Sequence, residues 1–248
     1  VALLRSSDFP TENHRTQIRN NPYTRPLCLI KKMNDITAKE DLLFQKWRIK
    51  RNKLITDGVA NPNLFINSKY RVLYILKEVN GIKDTKWDLR TFIKDGARKQ
   101  TFKNIALWQY GLKNQSKIEK WSVLNKKRSV SFIKTHIADI ALLNVKKETG
   151  SHTAITKTVE KYCSEDKDYI KEQIDIYNPK IIFCCGTGSM IFNNKIITGL
   201  NKWDETTYGV QYCKISEDLT VINYCHPEAR VNDNLLFYTL QLSLKEIL

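Results

Sequence analysis

With 248 residues, a formal net charge of +15 and 42% hydrophobic residues, the chain is large enough for one full-sized core, alone or with an extension. No stretch approaches the roughly 20 apolar residues that span a bilayer, and no secretory leader is visible, so a cytoplasmic protein with no membrane partner is expected. The charge is uneven: residues 1–70 carry 13 Lys/Arg against 6 Asp/Glu and residues 94–134 carry 11 against 2, whereas residues 135–248 carry 12 against 15.

Residues 1–35 are polar and interrupted by Pro10, Pro22 and Pro26, which reads as irregular chain. Thr37 to Glu40 has the S/T-x-x-E form of a capping box. Leu43, Phe44, Trp47 and Leu54 follow among basic residues, as in an amphipathic basic helix. Asn61-Pro62-Asn63 then marks a boundary, and the texture changes. These features predict a basic, partly helical extension over 1–68 and an α/β domain over 69–248.

Within that domain, YRVLYILK (70–77), IADIALLNV (137–145), KIIFCC (180–185) and LTVINYC (219–225) read as short buried strands. The segments 102–112, 164–177 with Ser164 as N-cap, 188–197 and 231–248 read as helices. Apolar strands alternating with helices predict a three-layer α/β/α sandwich around a central, mainly parallel four-stranded sheet. No internal repeat or low-complexity segment is evident.

In such sheets ligands bind beyond the carboxyl ends of the strands. Here the first strand runs into Lys77-Glu78-Val79-Asn80-Gly81 and the second ends at Asn144. The third opens into Gly186-Thr187-Gly188-Ser189, and the fourth stops at His226-Pro227. A carboxylate, two carboxamides, hydroxyls at a helix start and an imidazole are thereby expected on one edge. The six cysteines (Cys28, Cys163, Cys184, Cys185, Cys213, Cys225) show no CxxC pair, and four lie in or beside apolar runs, as small core residues do. The confinement of positive charge to the N-terminal half points to a polyanion, most often nucleic acid, although lysine-rich solvated surfaces give the same composition.

The motifs, in this order, resemble those of the uracil-DNA glycosylase superfamily over roughly residues 69–248. LKEVNG occupies the place of its G-[QE]-x-P-[YG]-like loop, and Thr91 to Gly96 looks like a drifted Pro-Phe-Val-Gly-x-x-Gly element. Leu142-Leu143-Asn144, Asn178-Pro179-Lys180 through Gly186, and His226-Pro227-Glu228 look like its later motifs. The resemblance implies a monofunctional DNA glycosylase that hydrolyses the bond between a flipped base and its sugar. It implies DNA as partner, action as a monomer, and neither a metal nor a cofactor. An iron–sulfur cluster is not expected, because only Cys28 precedes residue 163.

By the same resemblance, His226 donates a hydrogen bond to the departing base, and Pro227 stiffens the loop behind it. The aspartate of the best-known branch is absent, Val79 standing in its place; Glu78 as a base, or Asn80 as an orienting group, would handle the water. Asn144 would read the base edge and Phe92 would stack on the extruded base. Thr187 and Ser189 would hold phosphates, and Arg230 would wedge into the emptied stack or contact phosphate. Gly81 replaces a tyrosine that excludes 5-substituents in the uracil-strict branch, so a 5-modified pyrimidine, including a bulky phage-type cytosine, would fit. Two other readings remain: a DNA-binding module that kept the fold without catalysis, and an unrelated nucleotide-binding enzyme. The lack of a GxGxxG or GxxxxGK[ST] loop counts against the latter.

Overall fold

The computed structural model describes residues 27–81, 88–97, 100–150 and 154–248, with side chains from residue 36 onward. The stretch 1–26, expected to be irregular, lies outside the described residues, as do the Cys28 side chain and Arg98 and Lys99 of the basic run.

Helix α1 (Leu27–Lys50) is followed by the short strand β1 (Gly58–Val59) and helix α2 (Pro62–Asn67). Strand β2 (Val72–Asn80) leads to four helices, α3 (Leu89–Lys94), α4 (Gln100–Lys113), α5 (Trp121–Lys127) and α6 (Val130–Ile137). Then come β3 (Ala141–Gly150), α7 (Thr156–Glu165), α8 (Lys167–Tyr177), β4 (Ile181–Cys185) and α9 (Gly188–Asn193). The chain closes with β5 (Asp204–Glu205), β6 (Gln211–Ser216), β7 (Leu219–Tyr224) and α10 (Asp233–Ile247).

The sheet has seven strands in the order β1-β3-β2-β4-β7-β6-β5, wider than the four expected. Its centre, β3-β2-β4-β7, is parallel and consists of the four strands legible as apolar runs. The additions are antiparallel: β1 on β3, and β6 with β5 beyond β7. Central strands send alternate residues to opposite faces. Val72, Tyr74 and Leu76 of β2 enter one core with α3, α4, α5, α6 and α10, while Leu73 and Ile75 enter the other with α1, α2, α7, α8 and α9. This gives three layers, and no helix among the described residues is long and apolar enough to cross a membrane.

Two local readings are corrected. Helix α1 begins at Leu27 rather than at Thr37, so Glu40 lies inside a helix; its Oε1 accepts the Val59 N–H at 2.9 Å instead of capping. The segment 164–177 is not one helix started by Ser164, because α7 ends at Glu165 and α8 starts at Lys167. Between them Asp166 is fully buried and receives Arg51 Nε at 3.0 Å. In the N-terminal region Leu43, Phe44 and Trp47 are fully buried against the sheet, and β1 supplies an edge strand. The sheet therefore extends into the region before residue 69.

Candidate active site

Strand β2 is followed in sequence by its neighbour on one side, β3, and then by β4 on its other side. Chain leaving β2 and chain leaving β4 thus diverge, and the crevice at such a switch point is where α/β sheets bind ligands. Gly186, the first residue beyond β4, stands there with φ +66°, a conformation L side chains rarely adopt, and its N–H donates to the Tyr224 carbonyl at 2.7 Å. A Cβ placed on it would lie 3.5 Å from the His226 backbone nitrogen, 3.6 Å from His226 Cβ and 3.5 Å from Lys77 Cε. Three strand tips, those of β2, β4 and β7, therefore meet over one backbone turn.

His226 is half-buried, and its Nδ1 accepts the Glu228 N–H at 3.1 Å. That bond assigns the proton of the neutral ring to Nε2, which becomes a donor. Burial lowers its pKa below the usual histidine value; Glu228 pulls it up, and the Lys77 ammonium adds to the lowering. The loop that carries it is clamped from two helices. Asn104 of α4 donates to the Pro227 carbonyl at 2.6 Å and to Asp233 of α10 at 2.9 Å. Arg128 completes the brace, 2.8 Å from Asp233 and 3.2 Å from the Asn104 side-chain oxygen. Glu228 accepts the Thr101 N–H at 3.1 Å. A strand that ends on this histidine ends on a fixed donor.

The other predicted residues divide. Glu78 lies at the β2 tip but turns towards β3: its Oε2 is 2.5 Å from Lys146 Nζ, and its carboxyl covers Gly150, where a Cβ would come within 2.0 Å of Oε1. Asn80 is exposed at the end of β2, followed by half-buried Gly81. Asn144 pairs with Leu76, before the β2 tip, and is 2% exposed. Its backbone N–H and Nδ2 both donate to Asp57 Oδ2, at 2.6 and 3.2 Å, so the amide's donor side serves the fold rather than an open cleft. Thr187 is buried, and its hydroxyl donates to the Ile75 carbonyl at 3.0 Å, which joins β4 to β2 and takes that hydroxyl away from any phosphate. Ser189 and Arg230 are exposed. Phe92 is half-buried on α3, with its ring edge-on to Phe102 at 5.8 Å.

Two features escaped the sequence reading. Lys77 stands where the resembled motif has glycine, a departure that could have drawn attention to it. The second is a buried polar network on the α1 face. Lys147 Nζ is 2.6 Å from Asp57 Oδ1, which also receives Gln173 Nε2 at 2.8 Å; Gln173 donates to Tyr177 at 2.6 Å. Burial drives the Lys147 pKa down while Asp57 pulls it back, and burial pushes the Glu40 carboxyl up to about 7 against the Val59 N–H and Arg90. No signal in a single sequence links these residues, which come from five separate segments.

No protein-family model matches the chain, and no curated protein matches it either.

Proposed function

We propose that this chain is a monofunctional DNA glycosylase that hydrolyses the N-glycosidic bond of an extruded base, uracil or a 5-modified pyrimidine, and leaves an abasic site. The observation that carries this reading is the His226 imidazole, held as a neutral Nε2–H donor at the switch point by the Glu228 N–H. Glycosyl cleavage passes through an oxocarbenium-like sugar while negative charge gathers on the leaving base. A donor fixed in advance, in a partly desolvated crevice, stabilises that charge without reorganising.

The remaining roles follow from position. Asn80, exposed at the β2 tip, can orient the attacking water, whereas the Glu78 carboxyl is turned onto Lys146 and Gly150. Gly81 places no side chain beside the 5-position of a base, which is compatible with a modified pyrimidine, a bulky phage-type cytosine included; phage defence is a setting in which such an activity would serve. Exposed Lys94, Lys126 and Lys134 on α3, α5 and α6, with Arg230 beyond the histidine, supply cations for the DNA backbone.

Labelled duplexes carrying uracil, mismatches or 5-substituted cytosines, followed by alkali cleavage at abasic sites, test the proposal. Release is expected from at least one duplex, with His226→Ala slower by about 100- to 1000-fold. Wild-type rates in that variant would remove His226 from the mechanism. A second reading, a DNA-binding module without catalysis, is favoured by the commitment of Glu78 to Lys146 and of Asn144 to Asp57. Duplex binding with no abasic product from any member of the panel would select it.

A further inference from the structure

Lys77 is half-buried, yet among the described residues it has no carboxylate partner. The other partly or fully buried lysines near the sheet are paired, Lys146 with Glu78 and Lys147 with Asp57. Withdrawing an ammonium from water without an opposite charge is unfavourable, so such a group is poised to receive an anion. Its Cε and the Cβ of His226 lie 3.5 and 3.6 Å from the point that a Cβ on Gly186 would occupy, so the two side chains rise beside the same backbone turn. The lysine's charge helps keep the imidazole unprotonated.

We propose that Lys77 and His226 form a two-donor anion pocket for the departing base, and that the ammonium fits the site to bases that leave poorly, of the 5-substituted cytosine class. This rests on the glycosylase reading for the identity of the anion. As the bond between C1′ and the ring nitrogen breaks, its electron pair moves onto the base, facing the Lys77 ammonium and the His226 Nε2–H. Water oxygen then bonds to C1′ and its proton is released, while the anionic base takes up a proton as it leaves. Lys77 gives up no proton in this step. A neutral donor suffices for a base whose anion is stable, such as 5-fluorouracil. An aminopyrimidine anion lies higher in energy, and a full positive charge beside it lowers the barrier further.

Single-turnover release from duplexes carrying 5-fluorouracil, uracil or 5-hydroxymethylcytosine, by wild type, Lys77→Met and Lys77→Arg, provides the first test. The loss in Lys77→Met should grow along the series, from about tenfold to about 1000-fold, while Lys77→Arg keeps the shallow wild-type trend. An equal loss for all three bases would mean that Lys77 only supports the fold, and would overturn the inference. Calorimetry with barbiturate, a pyrimidine anion at neutral pH, and an abasic duplex provides a test independent of turnover. Wild type should bind barbiturate at least about tenfold tighter than uracil, a preference lost in Lys77→Met. Absence of that preference in wild type would also overturn it. Barbiturate selectivity without base release would keep the pocket and discard the glycosylase reading; base release indifferent to Lys77 would do the reverse.

Discussion

The proton of the neutral His226 ring falls to Nε2 because a backbone amide, not another side chain, occupies the far nitrogen. Its depressed pKa sets the pH dependence. The neutral donor persists as pH falls to 6.5, and base release should hold level there and decline only below it, when the ring takes up a second proton. A pH–rate profile under single turnover checks this; a fall beginning above pH 7 would not fit. His136 gives the stability counterpart, its pKa lowered to about 4 by burial and by Lys113, beside the Phe132 ring at 4.3 Å. The unfolded state binds this proton first, so the stability is complete above about pH 6.5 and is lost as pH falls towards 4. Urea midpoints should drop through that window, and His136→Phe should flatten the drop. At this scale the sequence exposed the histidine and its proline but not their braces. Asn104, Arg128 and Asp233 reach the loop from α4, the turn before α6, and α10, and nothing in their spacing announces it.

Secondary elements were legible in proportion to how completely they are buried. Strands β2, β3, β4 and β7 are central and apolar on both faces, so they declare themselves as runs. Strands β1 and β5 have two residues each, too few for any period, and β6 is half-exposed with mixed polarity. The α7–α8 break was hidden because Asp166, polar in sequence, is an interior residue satisfied by Arg51 and Lys50. The network joining α1, β1, β3 and α8 makes a prediction of its own. Asp57→Ala would leave the Lys147 ammonium buried and unpaired, which costs about 3–5 kcal/mol. Pairing it with Lys147→Met should recover part of that loss; urea denaturation of the single and double variants measures both. Additive losses would mean that the ion pair is not the source of the effect.

Across the whole molecule, charge and topology act together. The parallel centre brings Lys77, Gly186 and His226 to one edge. The exposed lysines of α3, α5 and α6 lie on the helical layer that also carries the histidine's braces. Duplex affinity should therefore fall at least tenfold between about 50 and about 200 mM salt, and Lys94→Glu with Lys126→Glu should weaken binding while leaving the urea midpoint unchanged. Fluorescence anisotropy at several salt concentrations reads both. The meeting of the β2, β4 and β7 tips was foreseeable from the order of motifs, whereas Asn144 of β3 was expected there and lies elsewhere. The commitment of Glu78 and Asn144 was not foreseeable, because Lys146 and Asp57 reach them through sheet pairing that a linear reading does not contain.

Strand β1 is two residues long, but the chain before it hugs β3 as well, with the Ile55 N–H on the Lys147 carbonyl at 2.6 Å and the Asp57 carboxylate on the Asn144 N–H. A gene trimmed to begin at residue 69 would peel this selvage away. It would bare a ten-residue parallel strand to whatever chain passed by, orphan an interior cation, and uncover the aromatic floor beneath α1. Such a fragment would be expected to cling to its own copies, so recombinant work on the α/β fold should begin upstream of α1.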